Sequence, residues 1–155
     1  MPDAWYRLLD ANCNRAREGL RVVEDLARLV WEDADVQRRI KRLRHALREE
    51  EARVPLPARA RSRAVERDPG ARLTLRSEAS RATWHDLAWA NLRRSQEALR
   101  VLEEIAKLRP RVVDASRFKR LRFETYALEG QLVERWGRTQ LPIGRRSGRK
   151  RKGKP

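Results

Sequence analysis

Asn12, Arg15 and Glu18 stand three residues apart, and the same three residue types return at Asn91, Arg94 and Glu97. On a helix turning about 100° per residue, this spacing sets an amide at the edge of the apolar stripe. The arginine and the carboxylate fall on the polar shoulder beside it. A single Arg-x-x-Glu is an ordinary solvated i,i+3 pair worth about 0.2–0.5 kcal/mol. Two copies facing each other across a shared axis would instead line a cleft with arginines and carboxylates. Such a cleft suits a phosphorylated ligand. Arg15 and Arg94, with Arg44 and Arg122, offer planar forks for phosphate oxygens, and Glu18, Glu97, Glu103 and Glu104 are carboxylates available to magnesium. On the residues alone, the solvated and the ligand-binding readings both stand.

Other chemistries find less support. There is no G-x-x-x-x-G-K-[ST] loop and no kinase G-x-G-x-x-G, so phosphoryl transfer here would rest on side chains and helix N-termini. His45 and His85 have no second ligand at metal spacing and read as surface or capping residues. Cys13, the one cysteine, excludes an internal disulfide and lies on an apolar helix face as a small core residue. No Ser-His-Asp or Cys-His arrangement is suggested, and the five tryptophans read as core and hairpin anchors.

The elements that must position these residues are repeated. Ala11 to Leu29 returns at Ala90 to Leu108, 79 residues later, with ten of nineteen positions identical. Lys41-Arg42-Leu43-Arg44 returns as Lys119-Arg120-Leu121-Arg122 at a spacing of 78. A copied helix followed by a copied partner means a duplicated helical hairpin. The first helix is expected from Asp3 to about Trp31, with Leu9, Ala16, Leu20, Val23, Ala27 and Val30 on one stripe. Asp33-Ala34-Asp35 stops it and caps a second helix running to about Ala52. Thr83-Trp84-His85-Asp86 opens the third, to about Leu108, and Asp114 caps the fourth, whose face carries Phe118, Leu121, Phe123, Ala127, Leu128 and Leu132. Glu49-Glu50-Glu51 at the end of the second helix opposes the helix dipole and must be answered by tertiary partners or a ligand. From Pro55 to about Thr83 the periodicity fails, leaving either a functional lid or disorder, with part of Leu73 to Arg81 open to helix. The expected fold is all-α: a four-helix bundle of two antiparallel hairpins, about 3–52 and 83–136, with approximate internal twofold symmetry and a connecting lid at 53–82.

At 155 residues with 40% apolar side chains the chain can bury a core. The net charge of +16 is uneven: residues 1–52 are neutral, 53–82 carry +5, 83–144 carry +4 and the last eleven carry +7. The folded part, taken as 1–138, is thus distinct from a basic tail at 139–155, expected to be disordered. No apolar run approaches the ~18 residues that span a bilayer, and no signal-peptide pattern opens the chain, so a cytoplasmic protein away from membranes is expected.

Three segments together resemble a known family: Asp10 to Asp25 (D-A-N-x-N-R-A-x-E-G-L-R-V-x-E-D), Leu43 to His45, and Ala90 to Lys107 (A-N-x-x-R-x-x-E-A-L-R-V-L-E-E-x-x-K). They are similar to the small helical hydroxymethylpyrimidine phosphate kinases of thiamine biosynthesis, which occur alone or fused ahead of thiamine phosphate synthase. The resemblance spans about residues 6 to 130. It implies transfer of the γ-phosphoryl of Mg-ATP to hydroxymethylpyrimidine phosphate, giving the diphosphate. It also implies Arg15, Glu18, Arg94 and Glu97 as catalytic residues and Asn12, Asn91, Arg44, Arg122 and Arg63 as substrate contacts. Arg21, Arg100 and Lys107 would contact the nucleotide, Glu18, Glu97 and Glu104 the metal, and Arg63 with Asp68 would belong to the lid. The chain departs from the family at Ile105, where members read E-E-Y-x-K, and at Asp68-Pro69-Gly70, where D-V-G is usual. Thiamine phosphate synthase is an implied partner, and a homodimer is left open. The alternative is a non-enzymatic basic helical protein binding nucleic acid, prompted by arginine content and the tail, which would bind nucleic acid non-specifically. Against it, the first hairpin is neutral and lacks a recognition-helix pattern.

Overall fold

The computed structural model describes residues 4–63 and 80–137. Every regular element among them is a helix: α1 (Ala4–Leu29), α2 (Ala34–Ala52), α3 (Leu56–Ser62), α4 (Trp84–Ala106) and α5 (Ala115–Trp136). The protein is all-α, as its periodicity predicts.

The caps explain where the helices begin. Asp33 accepts the Val36 N–H at 3.2 Å and opens α2. Thr83 and Asp86 satisfy each other's backbone at 3.0 Å, a reciprocal capping box that opens α4. Asp114 accepts the Ser116 N–H at 2.8 Å and opens α5. Between α1 and α2 the chain turns sharply. The Trp31 N–H bonds the Leu26 carbonyl at 3.2 Å, the Asp33 N–H bonds Ala27 at 2.7 Å, and Glu32 takes a left-handed φ of 50°. This turn ends α1 at Leu29, two residues before the expected Trp31.

The connection departs from expectation. Residues 56–62 form α3, although Pro55 and Pro57 read as helix breakers. Pro57 sits in the first turn, where its missing N–H has no intrahelical acceptor to lose, and Pro55 precedes the helix. Ser80 and Arg81 are not helical, while Leu73 to Ala79, Asp68 and the tail at 139–155 lie outside the described residues.

Helix α1 packs on α2, α3 and α4; α4 packs on α5; and α5 touches α2. Trp5, near the start of α1, donates Nε1–H to the Ile105 carbonyl near the end of α4 at 2.9 Å. Mid-helix, Ser95 Oγ donates to the Ala16 carbonyl at 3.1 Å. The two helices therefore run in opposite directions. They touch because Gly19 has no side chain: a Cβ there would meet Ser95 Oγ and lie 2.6 Å from the Asn91 carbonyl oxygen. Leu9, Leu20, Ile40, Leu47, Leu92, Leu99, Phe118 and Leu128 are sealed between the helices. Phe123 and Ala127, expected on the inner face of α5, are instead exposed. Thr125 takes the inward position and satisfies its hydroxyl on the Leu121 carbonyl at 2.8 Å. At the opposite end Trp136 stacks on Trp31 with ring centres 3.9 Å apart and donates Nε1–H to Asp33 at 3.2 Å.

Candidate functional site

The repeated residues divide into two sets. The first is structural. Asn12 and Asn91 each turn the side-chain amide back onto their own helix, donating to the Leu8 and Leu87 carbonyls at 2.8 Å. Glu24 and Glu103, equivalent in the repeat, are buried and receive Arg44 and Arg122, which are equivalent in turn. Glu103 accepts Arg122 Nε and Nη2 at 3.0 and 2.8 Å and Arg100 at 2.9 Å. Burial pushes the Glu103 carboxyl up, but these guanidinium bonds outweigh it and hold the group below its ordinary value. Hydrogen bonds to Tyr126 and Glu103 raise Arg122. Each hairpin is thus tied by its own internal ion pair. Arg44 and Arg122, expected to fork onto substrate phosphate, spend part of their donor capacity inside the fold.

The second set faces out. Arg15, Glu18, Arg94 and Glu97 are all exposed, and none makes an ion pair or a hydrogen bond among the described residues. Helical spacing from Asn12 and Gly19 sets Arg15 beside the α1/α4 crossing, and spacing from Asn91 and Ala98 does the same for Arg94. The crossing therefore brings the two copies onto one outer surface of the α1/α4 pair. Leu8 and Val22 on α1, and their repeat equivalents Leu87 and Val101 on α4, occupy the same side. The remaining expected contacts are engaged locally: Arg21 with Asp25, Arg100 with Glu103 and Glu104, and Lys107 with Glu104. Hydrogen bonding to Lys107 holds the exposed Glu104 carboxyl below its ordinary value.

Two concave regions adjoin α1 and α4. One, of about 590 Å³, is lined by Arg17, Arg44, His45, Arg48, Glu51, Leu56, Arg59 and Arg63 and lies between α1, α2 and α3. Beneath it Asp10 is buried and accepts Arg63 Nε at 2.7 Å and Arg59 Nη1 at 3.5 Å. The Asp10 bond raises Arg63. Glu51 takes Arg59 and, at 2.6 Å, Arg17, while Glu50 takes Arg117 at 2.8 Å and Arg53 at 3.0 Å. The acidic end of α2 is thus answered by tertiary arginines. The other region, of about 410 Å³, lies between α4 and α5 and joins the expected Glu97 and Arg100 to Arg93, Gln96 and Tyr126. The sequence reading did not single out Asp10, Arg17, Arg48 or Arg59. Arg17 and Arg48 have Gln96 and Tyr126 at their repeat positions, so a search for what is repeated passes over them.

Among the described residues no helix is long and apolar enough to cross a membrane, and no group of three or more His, Cys, Asp or Glu could hold a metal. No solved structure matches the chain. Among curated proteins it is similar to the thiamine-phosphate synthase of Synechocystis sp. (43% identical over 135 residues, 85% of this chain and 37% of that protein). It is similar as well to those of Nostoc punctiforme (41% over 129 residues, 83% and 35%) and Thermosynechococcus vestitus (41% over 127 residues, 82% and 35%). The chain spans little more than a third of the length of these relatives. A family model described as the ThiD2 family matches residues 7–131, taking in both copies of the repeat and α3, and the chain belongs to that family.

Proposed function

We propose that the chain is a hydroxymethylpyrimidine phosphate kinase of thiamine biosynthesis, with its transfer site on the outer α1/α4 surface. One observation carries the reading: of the charges duplicated between α1 and α4, Arg15, Glu18, Arg94 and Glu97 alone are exposed and unengaged, on two helices whose crossing is held close by Gly19. Family membership and the names of the relatives support the pathway.

The transfer breaks the bond between the γ-phosphorus of ATP and its bridging oxygen and forms one to an oxygen of the pyrimidine's phosphate. ADP leaves, and the product is a diphosphate. The acceptor is already an anion near neutral pH, so no strong base is required. The obstacle is the approach of two polyanions, which Arg15 and Arg94 offset by charge and by bidentate orientation. The donor set does not fit a protein-caged magnesium: Glu18 and Glu97 stand on separate helices, and Glu104 is engaged by Arg100 and Lys107. It fits an ion carried on nucleotide phosphates and touched by one carboxylate, Glu18 or Glu97. That ion would supply charge neutralisation.

ADP release from Mg-ATP with hydroxymethylpyrimidine phosphate as acceptor tests this. Arg15→Ala and Arg94→Ala should each lower kcat by about 10²–10³-fold, with unchanged helical circular dichroism, since both side chains are exposed and unengaged. Wild-type turnover in both variants would remove the site from this surface. Absence of ADP release, with salt-sensitive nucleic-acid binding lost on deleting residues 144–155, would favour the rival reading.

A further inference from the structure

The two halves of the repeat agree where the fold needs them to and diverge at the concave regions. Arg17 bonds Glu51 at 2.6 Å; at the equivalent positions Gln96 bonds Glu129 at 2.6 Å. The geometry is kept while a cation is exchanged for an amide, and Arg48 is exchanged for Tyr126. A transfer enzyme built on a duplicated hairpin must tell two ligands apart, so beyond any shared surface at least one ligand region must be where the copies differ. In the α1/α2/α3 cleft, five guanidinium groups (Arg17, Arg44, Arg48, Arg59 and Arg63) meet three carboxylates (Asp10, Glu24 and Glu51). An excess of two positive charges is left, and no carboxylate is uncommitted.

Several donors in this cleft have nothing to bind. Arg48 and His45 make no ion pair or hydrogen bond among the described residues, and Arg44 Nε is buried without a hydrogen-bond partner. A buried guanidinium N–H with no acceptor is costly unless a ligand supplies one. The engaged arginines, Arg17 and Arg59, are pre-set by the buried Glu51, so little order is lost when an anion arrives.

We propose that this cleft holds the polyphosphate chain of the nucleotide donor. The inference rests on the kinase reading for the identity of the ligand and on the cleft alone for its chemistry. Several guanidinium forks spread over about 590 Å³ match an extended triphosphate better than a lone phosphate. The outer α1/α4 surface is left for the phosphorylated pyrimidine and the transferring group.

Calorimetric titration of the full chain with inorganic tripolyphosphate, at fixed ionic strength, tests the cleft without turnover. One site per chain is expected, weakened at least tenfold in Arg48→Ala and unchanged in Arg93→Ala, which alters the α4/α5 region. Arg48 is exposed and unpartnered, so its removal leaves the fold intact. Steady-state kinetics should then show KM for ATP rising about tenfold in Arg48→Ala, with KM for the pyrimidine phosphate unmoved. Undiminished tripolyphosphate binding in Arg48→Ala would overturn the cleft as a polyphosphate site. Weakened binding with an unmoved KM for ATP would overturn its assignment to the nucleotide. Weakened binding in a chain with no kinase turnover would uphold the polyphosphate site while the kinase reading fails.

Discussion

Gly19 of α1 lies against the carbonyl of Asn91 on α4, so close that a Cβ at position 19 would stand 2.6 Å from that oxygen and also meet Ser95 Oγ. The oxygen is backbone inside a helix and cannot move alone, so the two helices would have to separate. Gly19→Ala should therefore destabilise the protein by about 1–3 kcal/mol despite Ala's higher helix propensity. Urea unfolding followed by tryptophan fluorescence measures it. The double variant with Ser95→Ala should recover only part of the loss, because the carbonyl remains. An unchanged midpoint for Gly19→Ala would mean the crossing is looser than the structure has it.

The Glu103–Arg122 pair makes stability depend on acid. The Glu103 carboxyl lies below its ordinary 4.5, so the folded state favours the charged form. Its contribution is complete above 4.5 and is lost as pH falls below that value toward the depressed one. Glu103→Gln should lower stability at neutral pH by about 1–3 kcal/mol, and its remaining stability should fall less steeply in acid. Unfolding midpoints at neutral pH and below 4.5, compared between the two proteins, decide the matter. Parallel acid limbs would remove Glu103 as their source.

Cys13 should be inert. Burial, with the charge of Glu51, pushes its thiol up to about 12 against the opposing pull of Arg59 and Arg17. At pH 8 the thiolate is about one part in 10⁴, and the sulfur is sealed among α1 core residues. An aromatic disulfide reagent should label it only as fast as the protein unfolds, and rapidly once urea is added. Prompt native labelling would show that α1 opens locally near Glu51 and Arg59.

What the sequence made legible was set by local and repeated signals. Thr83 with Asp86, Asp33 and Asp114 announce helix starts because capping is decided within one turn. The repeat exposed the α1 and α4 pairs, and with them Arg15, Glu18, Arg94 and Glu97. It did not say which repeated charges stay unengaged and which tie the fold. Arg44 looks like Arg15 in sequence, yet its approach to Glu24 depends on how α2 lies on α1. Helix α3 was hidden by its prolines, whose effect depends on position within the turn. Asp10 was passed over although it lies inside the resembling motif, because its partners Arg59 and Arg63 arrive from a stretch without periodicity.

The stack of Trp136 on Trp31, with Asp33 bridging residues 103 apart in sequence, bears on the order in which the molecule can be made. As the chain emerges from the ribosome, α1 and α2 can coil and pair early, but the turn between them stays open on one side. Its tryptophan and its capping aspartate lack their final neighbour until the end of α5 has been synthesised. The first hairpin is the first part to exist, yet the turn near Asp33 is completed only when the last helix arrives.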